Sequence, residues 1–186
     1  KKYALLAINY DQNNSNHYYN LGVIYSNLDQ FQDSILSFKK AIKNDPSNYG
    51  ANLNLGAMLL KLSQFEEAKK YIEISLSLKP NSYEAYFNLG QIALFTKKYE
   101  LAENYFIKSL SFYKNNPEVY KFLGITQFMN SKDHALDSIN KSIALNSAEN
   151  ISNVLKKIIQ LEKKSSMSKI ENFKTPYDKF GHKPVI

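Results

Sequence analysis

Apolar residues along this chain return three or four positions apart, in paired segments separated by short polar turns. Leu21, Ile24, Tyr25 and Leu28 form one such segment, and Ile35, Phe38, Ala41 and Ile42 form the next. That spacing lines one face of an α-helix, so each pair predicts two amphipathic helices packed face to face. The pairing then repeats. Leu21-Gly22, Leu55-Gly56, Leu89-Gly90 and Leu123-Gly124 stand 34 residues apart. Tyr18, Asn52, Tyr86 and Tyr120 precede each Leu by three positions. Ser34 with Phe38, Ala68 with Ile72, Ala102 with Phe106 and Ala135 with Ile139 follow, then the small residues Ala41, Ser75, Ser109 and Ser142. Pro46 and Pro80 close the first two units. Glycine inside a helix costs up to about 1 kcal/mol relative to alanine. Four glycines at one phase therefore predict close backbone approach, with the small residues at 34, 68, 102 and 135 opposite. Asn116 before Pro117 reads as an N-cap followed by proline at the first helical position, and Asn48, Asn81 and Ser82 offer similar starts.

This arrangement resembles the tetratricopeptide repeat (TPR), whose 34-residue unit carries aromatic-x-x-Leu-Gly-x-x-Tyr, Ala-x-x-x-Phe and closing Pro positions. The resemblance covers about residues 1–147. Departures are local: Lys114 and Ser147 replace the closing Pro, and Leu59, Ala93 and Gln127 stand where the first unit has Tyr25. The resemblance implies an all-α, right-handed superhelix, an α-solenoid of antiparallel helix pairs. Residues 1–14 are expected to hold the second helix of a truncated upstream repeat, because Ala7 shares the phase of Ala41. Full units are expected at 15–48, 49–82, 83–116 and 117–147, the last one residue short near Asn130–Asp133. The apolar stripe Ile151, Val154, Leu155, Ile158, Ile159 and Leu161 predicts a capping helix over 148–164, covering the open face that a solenoid's last repeat would expose. Residues 165–186 read as a basic tail or linker, and the chain as a fragment of a longer protein.

Composition narrows the function. The 186 residues are 44% hydrophobic and 22% charged, an ordinary globular balance. No apolar run approaches the roughly eighteen residues of a membrane span, and Asn9, Tyr10 and Asp11 interrupt the first apolar stretch too early for a signal peptide. Absence of cysteine excludes disulfides, a thiol nucleophile and cysteine-bound zinc, and leaves cytoplasm as the expected location. All 24 basic residues are lysine, and the excess lies in the tail: residues 1–155 hold 16 Lys against 14 acids, residues 156–186 hold 8 against 3. Without arginine there are no bidentate forks for guanine or phosphate. Nucleic acid is accordingly not the expected partner, although binding through the tail stays open as a third reading with steep salt dependence.

Catalytic chemistry is missing from the pattern. His17, His134 and His182 lie far apart with no ligand spacing, and no nucleophile elbow, Walker loop or dinucleotide loop is present. Glu66-Glu67 falls at a helix start, where carboxylates complement the dipole. No cofactor or metal is expected. Most aromatics occupy packing phases rather than stacking platforms for single-stranded nucleic acid.

The resemblance implies that the first helices of successive units line a concave face on which extended peptides lie. That face maps to Tyr19, Asn20, Val23, Ser26 and Asn27 in the first unit, and to Leu53, Asn54, Ala57, Leu60 and Lys61 in the second. The third contributes Phe87, Asn88, Gln91, Leu94 and Phe95, and the fourth Lys121, Phe122, Ile125, Phe128 and Met129. Asn20, Asn54 and Asn88 form one column directly before Leu-Gly. A side-chain amide pairs with both the N–H and the C=O of a peptide unit, and the column looks like the asparagine ladder of O-linked N-acetylglucosamine transferase-like TPR arrays. Asparagine is also abundant throughout the chain and tolerated on exposed helix faces, which is the competing explanation. The carboxylate clamp of chaperone-binding TPR domains is rejected, because Tyr19 with Val23 and Glu84 with Asn88 hold its positions.

The expected function is a non-catalytic module that binds an extended segment or scaffolds a complex. Asn20, Asn54 and Asn88 would grip backbone, with Tyr19, Phe87, Phe95 and Lys121 shaping side-chain preference and Asn27, Lys61 and Gln91 completing the peptide-binding face. Phe122, Ile125, Phe128 and Met129 form an apolar patch for a ligand segment, for self-association or for docking of the chain's own tail, Phe173 to Ile186. The alternative is the substrate-recruiting part of a glycosyltransferase or oxygenase whose catalytic domain lies elsewhere.

Overall fold

The computed structural model describes residues 2–131, 133–146 and 150–173. Among them there are ten helices and no strand. The chain divides into two compact units, with the boundary between Asn115 and Asn116.

The first unit contains α1 (Lys2–Tyr10), α2 (Ser15–Asn27), α3 (Phe31–Asn44), α4 (Tyr49–Lys61), α5 (Phe65–Leu78), α6 (Tyr83–Phe95) and α7 (Tyr99–Phe112). Helices α2, α4 and α6 begin the successive pairs, and each starts at a side-chain cap. Asn14 accepts from the Asn16 amide at 3.0 Å, Asn48 from Ala51 at 2.9 Å and Ser82 from Ala85 at 3.0 Å. Ser82, rather than the neighbouring Asn81, is the cap of α6. Such a cap satisfies an amide that the helix leaves unbonded, and is worth about 1 kcal/mol.

The second helices α3, α5 and α7 have no side-chain cap. They are entered through a tight turn in which Asp29, Ser63 and Lys97 take positive φ of 53°, 59° and 60°. In the first turn the Asp29 amide donates to Ser26 O and the Gln30 amide to Tyr25 O. The same pair recurs as Ser63 to Leu60 with Gln64 to Leu59, and as Lys97 to Leu94 with Lys98 to Ala93. This is the Schellman arrangement, in which glycine usually holds the left-handed position.

Within each pair the glycine admits a large side chain from the second helix. A β-carbon at Gly22 would stand 2.6 Å from the Phe38 ring, at Gly56 2.5 Å from Ile72 Cγ1, and at Gly90 2.5 Å from the Phe106 ring. Phe38, Ile72 and Phe106 are wholly buried as a result. Each gains about 1.5–3 kcal/mol from that burial. The small residues sit opposite as expected: Ser34 Oγ donates to Gly22 O at 2.9 Å, and Ala68 O would lie 3.1 Å from a β-carbon at Gly56. Pairs are joined by polar ties, such as Asn48 Nδ2 donating to Ser15 Oγ and Tyr49 Oη donating to Ser82 Oγ.

The second unit holds α8 (Pro117–Met129), α9 (Ala135–Leu145) and α10 (Asn150–Phe173). Asn116 caps α8, with Pro117 in its first turn. A β-carbon at Gly124 would stand 2.5 Å from Ile139 Cδ1. The missing residue falls between Gly124 and Ala135 and costs α9 its first turn. The other second helices start three positions before their small residue, whereas α9 starts at Ala135 itself. Gln127, at the phase of Tyr25, is buried and accepts from Ser138 Oγ at 2.7 Å.

Helix α10 lies against α9: Ser142 and Ser152 hydroxyls are 3.1 Å apart, and Ile159 joins Ala135 and Ile139 in a buried cluster. It runs to Phe173, past the end expected at 164, so residues 165–173 are helix rather than linker. In the phase of Gly22, Gly56, Gly90 and Gly124 it carries Lys157, fifteen positions after Ser142 as Gly124 is after Ser109.

Candidate functional site

In the first unit α2 touches α4 and α4 touches α6, so three successive first helices are neighbours. Asn20, Asn54 and Asn88 occupy the same phase on them, each beside a buried Leu-Gly. Asn20 is exposed, and Asn54 and Asn88 are half-buried. None of the three amides bonds to another described residue, in contrast to Asn48 and Asn52, whose amides are taken up by Ser15, Pro46 O and Asn48 O. Their donors and acceptors are therefore unspent.

Beside Asn88 lies a pocket of about 390 Å³ between α4 and α6. Its apolar floor comes from Ala57 and Leu60 of α4, with Phe65 at the start of α5. Phe95 stacks on Phe65, with ring centroids 6.0 Å apart and planes 25° apart, and is itself 53% exposed. Asn88 and Gln91 supply amides along one wall, and Lys61 and Ser63 close the opposite rim. Lys61 Nζ lies 5.3 Å from the Phe31 ring centroid, and no carboxylate of the described residues stands within ion-pair distance of it. Four expected site residues, Lys61, Asn88, Gln91 and Phe95, thus meet in one place.

Ser63 and Phe65 are additions. They lie in the turn and at the start of the second helix, outside the face mapped from first helices alone. The signal was an aromatic column at 31, 65 and 99, three residues before each small residue.

Other expected residues are placed differently. Tyr19 tilts against Phe38 at 6.0 Å, and its ring would be 2.8 Å from a β-carbon at Gly50, so it packs one repeat on the next. Phe87 packs against Phe106 at 5.9 Å. Both are half-buried and serve the stack first, because a large ring near a glycine gap gains more from packing than from water. Asn27 is exposed at the end of α2.

In the second unit Lys121 corrects its expectation as an open groove cation. It is 7% exposed, and its Nζ contacts Glu118 Oε2 at 2.6 Å and lies 5.4 Å from the Phe122 ring centroid. Its charge is already matched within the helix. The apolar patch is partly closed as well, since Phe128 packs on the cluster of Ala135, Ile139 and Ile159 together with Leu155 of α10. Phe122 and Ile125 are half-buried, and Met129 is 50% exposed. The tail docking expected of 173–186 falls on side chains outside the described residues.

The remaining polar groups form structural links. Ser82 Oγ receives the Tyr49 hydroxyl at 2.7 Å and donates to Glu84 Oε2 at 3.0 Å. Burial raises the Tyr49 pKa above the usual tyrosine value, assisted by the Glu84 carboxylate and opposed by the Ser82 hydrogen bond. His17 Nδ1 lies 3.3 Å from Asp11 O, His134 precedes α9, and His182 is outside the described residues. Among the described residues no three His, Asp or Glu side chains gather as a metal site, and no helix is long and apolar enough to cross a membrane.

Helix hairpins of this length, stacked through glycine gaps, define a class. Models of the tetratricopeptide repeat match residues 15–48, 37–70 and 83–116, so the chain carries tetratricopeptide repeats and is an all-α TPR solenoid. The first and third matches each span one helix pair, α2 with α3 and α6 with α7. The second straddles a junction between pairs, in keeping with a repeat that has no fixed starting point.

Several solved structures share the fold. YrrB, described as a TPR protein with an unusual peptide-binding site, is 18% identical, with a TM-score of 0.70 over 87% of this chain and 84% of that one. MamA from Desulfovibrio magneticus RS-1 is 21% identical, with a TM-score of 0.71 over 80% and 85%. PilF of Pseudomonas aeruginosa is 17% identical, with a TM-score of 0.73 over 91% and 78%. No curated protein matches the sequence.

Proposed function

We propose that this chain is a protein-interaction module that holds an extended segment of a partner along α2, α4 and α6, without catalysis of its own. The observation that carries this reading is the column of unbonded amides at Asn20, Asn54 and Asn88, the last opening onto the 390 Å³ pocket. A peptide laid across neighbouring first helices would meet an amide from each, every 34 residues of this chain. Each amide would accept a backbone N–H and donate to a backbone C=O, which reads the guest's main chain rather than its sequence. Side-chain preference would come from Lys61, Gln91 and Phe95, with Asn27 at the edge. The likeness of fold to YrrB, itself a peptide-binding TPR protein, supports the choice of guest.

The test is retention of partners from a lysate, and of peptides from a random display library, by the chain and by its Asn20/Asn54/Asn88→Ala variant. Hydrogen bonds worth about 0.5–1.5 kcal/mol each predict that captured peptides weaken by at least about tenfold in the triple variant. Identical retention by both proteins would remove the amide column from the function. Because none of the three amides bonds to another described residue, the melting temperature should stay unchanged.

A further inference from the structure

The pocket between α4 and α6 has a chemistry more selective than an amide column requires. Its one charged lining residue is Lys61, and no carboxylate lines it. Lys61 is exposed, and its only close partner among the described residues is the Phe31 ring, a contact that leaves the positive charge uncompensated. One wall is the open face of Phe95, held in place by its stack on Phe65. One repeat earlier Lys61 holds the position of Phe95 and lies over Phe31, so that site offers an ammonium stem where this one offers a ring face. Ala57, small where its neighbours are Leu53 and Leu60, leaves the depth.

From these features we infer that the pocket takes an aromatic side chain of the guest, and that a carboxylate next to that ring pairs with Lys61. The inference rests on the groove reading above and names its ligand: a segment in which Phe, Tyr or Trp adjoins Asp, Glu or the chain's terminal carboxylate. The guest ring would slide against Phe95 in an offset or edge-on contact over Leu60 and Phe65, the geometry that ring quadrupoles favour. Asn88 and Gln91, one helical turn apart on the same wall, would bond the main chain on either side of the ring. The acid then falls at the rim, where the ammonium stands.

The experiment selects heptapeptides from a random display library on the full chain and measures synthetic copies by calorimetry. Enriched peptides should carry an aromatic–acidic pair. Changing the ring to Ala should weaken binding by about tenfold or more, as burial of an aromatic implies. Changing Asp to Asn should cost about two- to fivefold, the scale of a rim ion pair. Lys61→Gln should reproduce the second loss for the Asp peptide and leave the Asn peptide unaffected, and Phe95→Ala should erase the preference for a ring. Acid-free copies ending in a free carboxylate or in an amide separate the two sources of charge. Tighter binding of the free acid assigns Lys61 to a chain end, and equal binding assigns it to a side chain. Peptides that depend on Asn20, Asn54 and Asn88 yet ignore the ring and Lys61 would overturn this inference while leaving the groove reading intact. A library that yields no binder, or only binders indifferent to all five residues, would overturn both. Both substituted side chains are exposed, and unchanged thermal melts check that the variants fold.

Discussion

At the scale of single residues, the four mid-helix glycines decide how closely the paired helices approach. Alanine at Gly90 would recover up to about 1 kcal/mol of helix propensity. Its β-carbon, however, would stand 2.5 Å from the Phe106 ring, which is fully buried and cannot swing away. Overpacking of that kind costs about 1–3 kcal/mol. Gly90→Ala should therefore lower unfolding free energy by about 1–2 kcal/mol in urea titrations. Gly90→Ala with Phe106→Leu should lose less than the sum of the two single changes, because they share one gap. Strict additivity would show that the ring is not what the glycine accommodates. These glycines were legible in the sequence because cost and repetition coincide at one phase. The fates of two lysines were not. Lys61 and Lys121 both fall on first helices, but Glu118 lies one turn before Lys121 and draws it into a pair. Tyr19 and Phe87 are half-buried against Phe38 and Phe106 for a related reason. A helical wheel gives direction but not the depth of the gap that a neighbouring glycine opens.

At the scale of elements, caps and turns divide the labour. The first helices announce themselves through Asn48, Ser82 and Asn116, polar residues just ahead of an apolar stripe. The turns leading into the second helices were silent, since Asp29, Ser63, Lys97 and Ser131 give no hint of left-handed backbone. Such a conformation costs a side-chain-bearing residue roughly 1–2 kcal/mol, and glycine almost nothing. Lys97 is exposed, with no side-chain partner among the described residues that would be lost. Lys97→Gly should therefore stabilise the chain by about 1 kcal/mol, seen as a higher urea midpoint with unchanged slope. A lower midpoint would mean that the turn is not left-handed in solution. The length of α10 was equally hidden, because residues 165–173 lack the apolar period that marks its packed portion.

At the scale of the whole molecule, stability should be distributed as in a linear array, where each hairpin draws on its neighbours. In the first unit α4 and α5 are flanked on both sides and contribute Leu55, Leu59 and Ile72, all essentially inaccessible. Helix α1 has no buried residue, and Tyr3 and Tyr10 are almost fully exposed. Amide hydrogen exchange should be fastest in α1 and slowest in α4 and α5, by at least about a hundredfold, which corresponds to a few kcal/mol of local opening. Uniform protection from α1 to α7 would show instead a single cooperative block. Lys157 has a further bearing on how such a chain grows. Arrays of this kind lengthen by duplication of one block, and a new block is accepted only where its edges find the mates of the old one. A copy spliced between α9 and α10 would find them on both sides. A hairpin partner offered to α10 would meet the charged stem of Lys157 in place of a bare α-carbon, so α10 lacks the gap through which the four glycines each admit a large side chain.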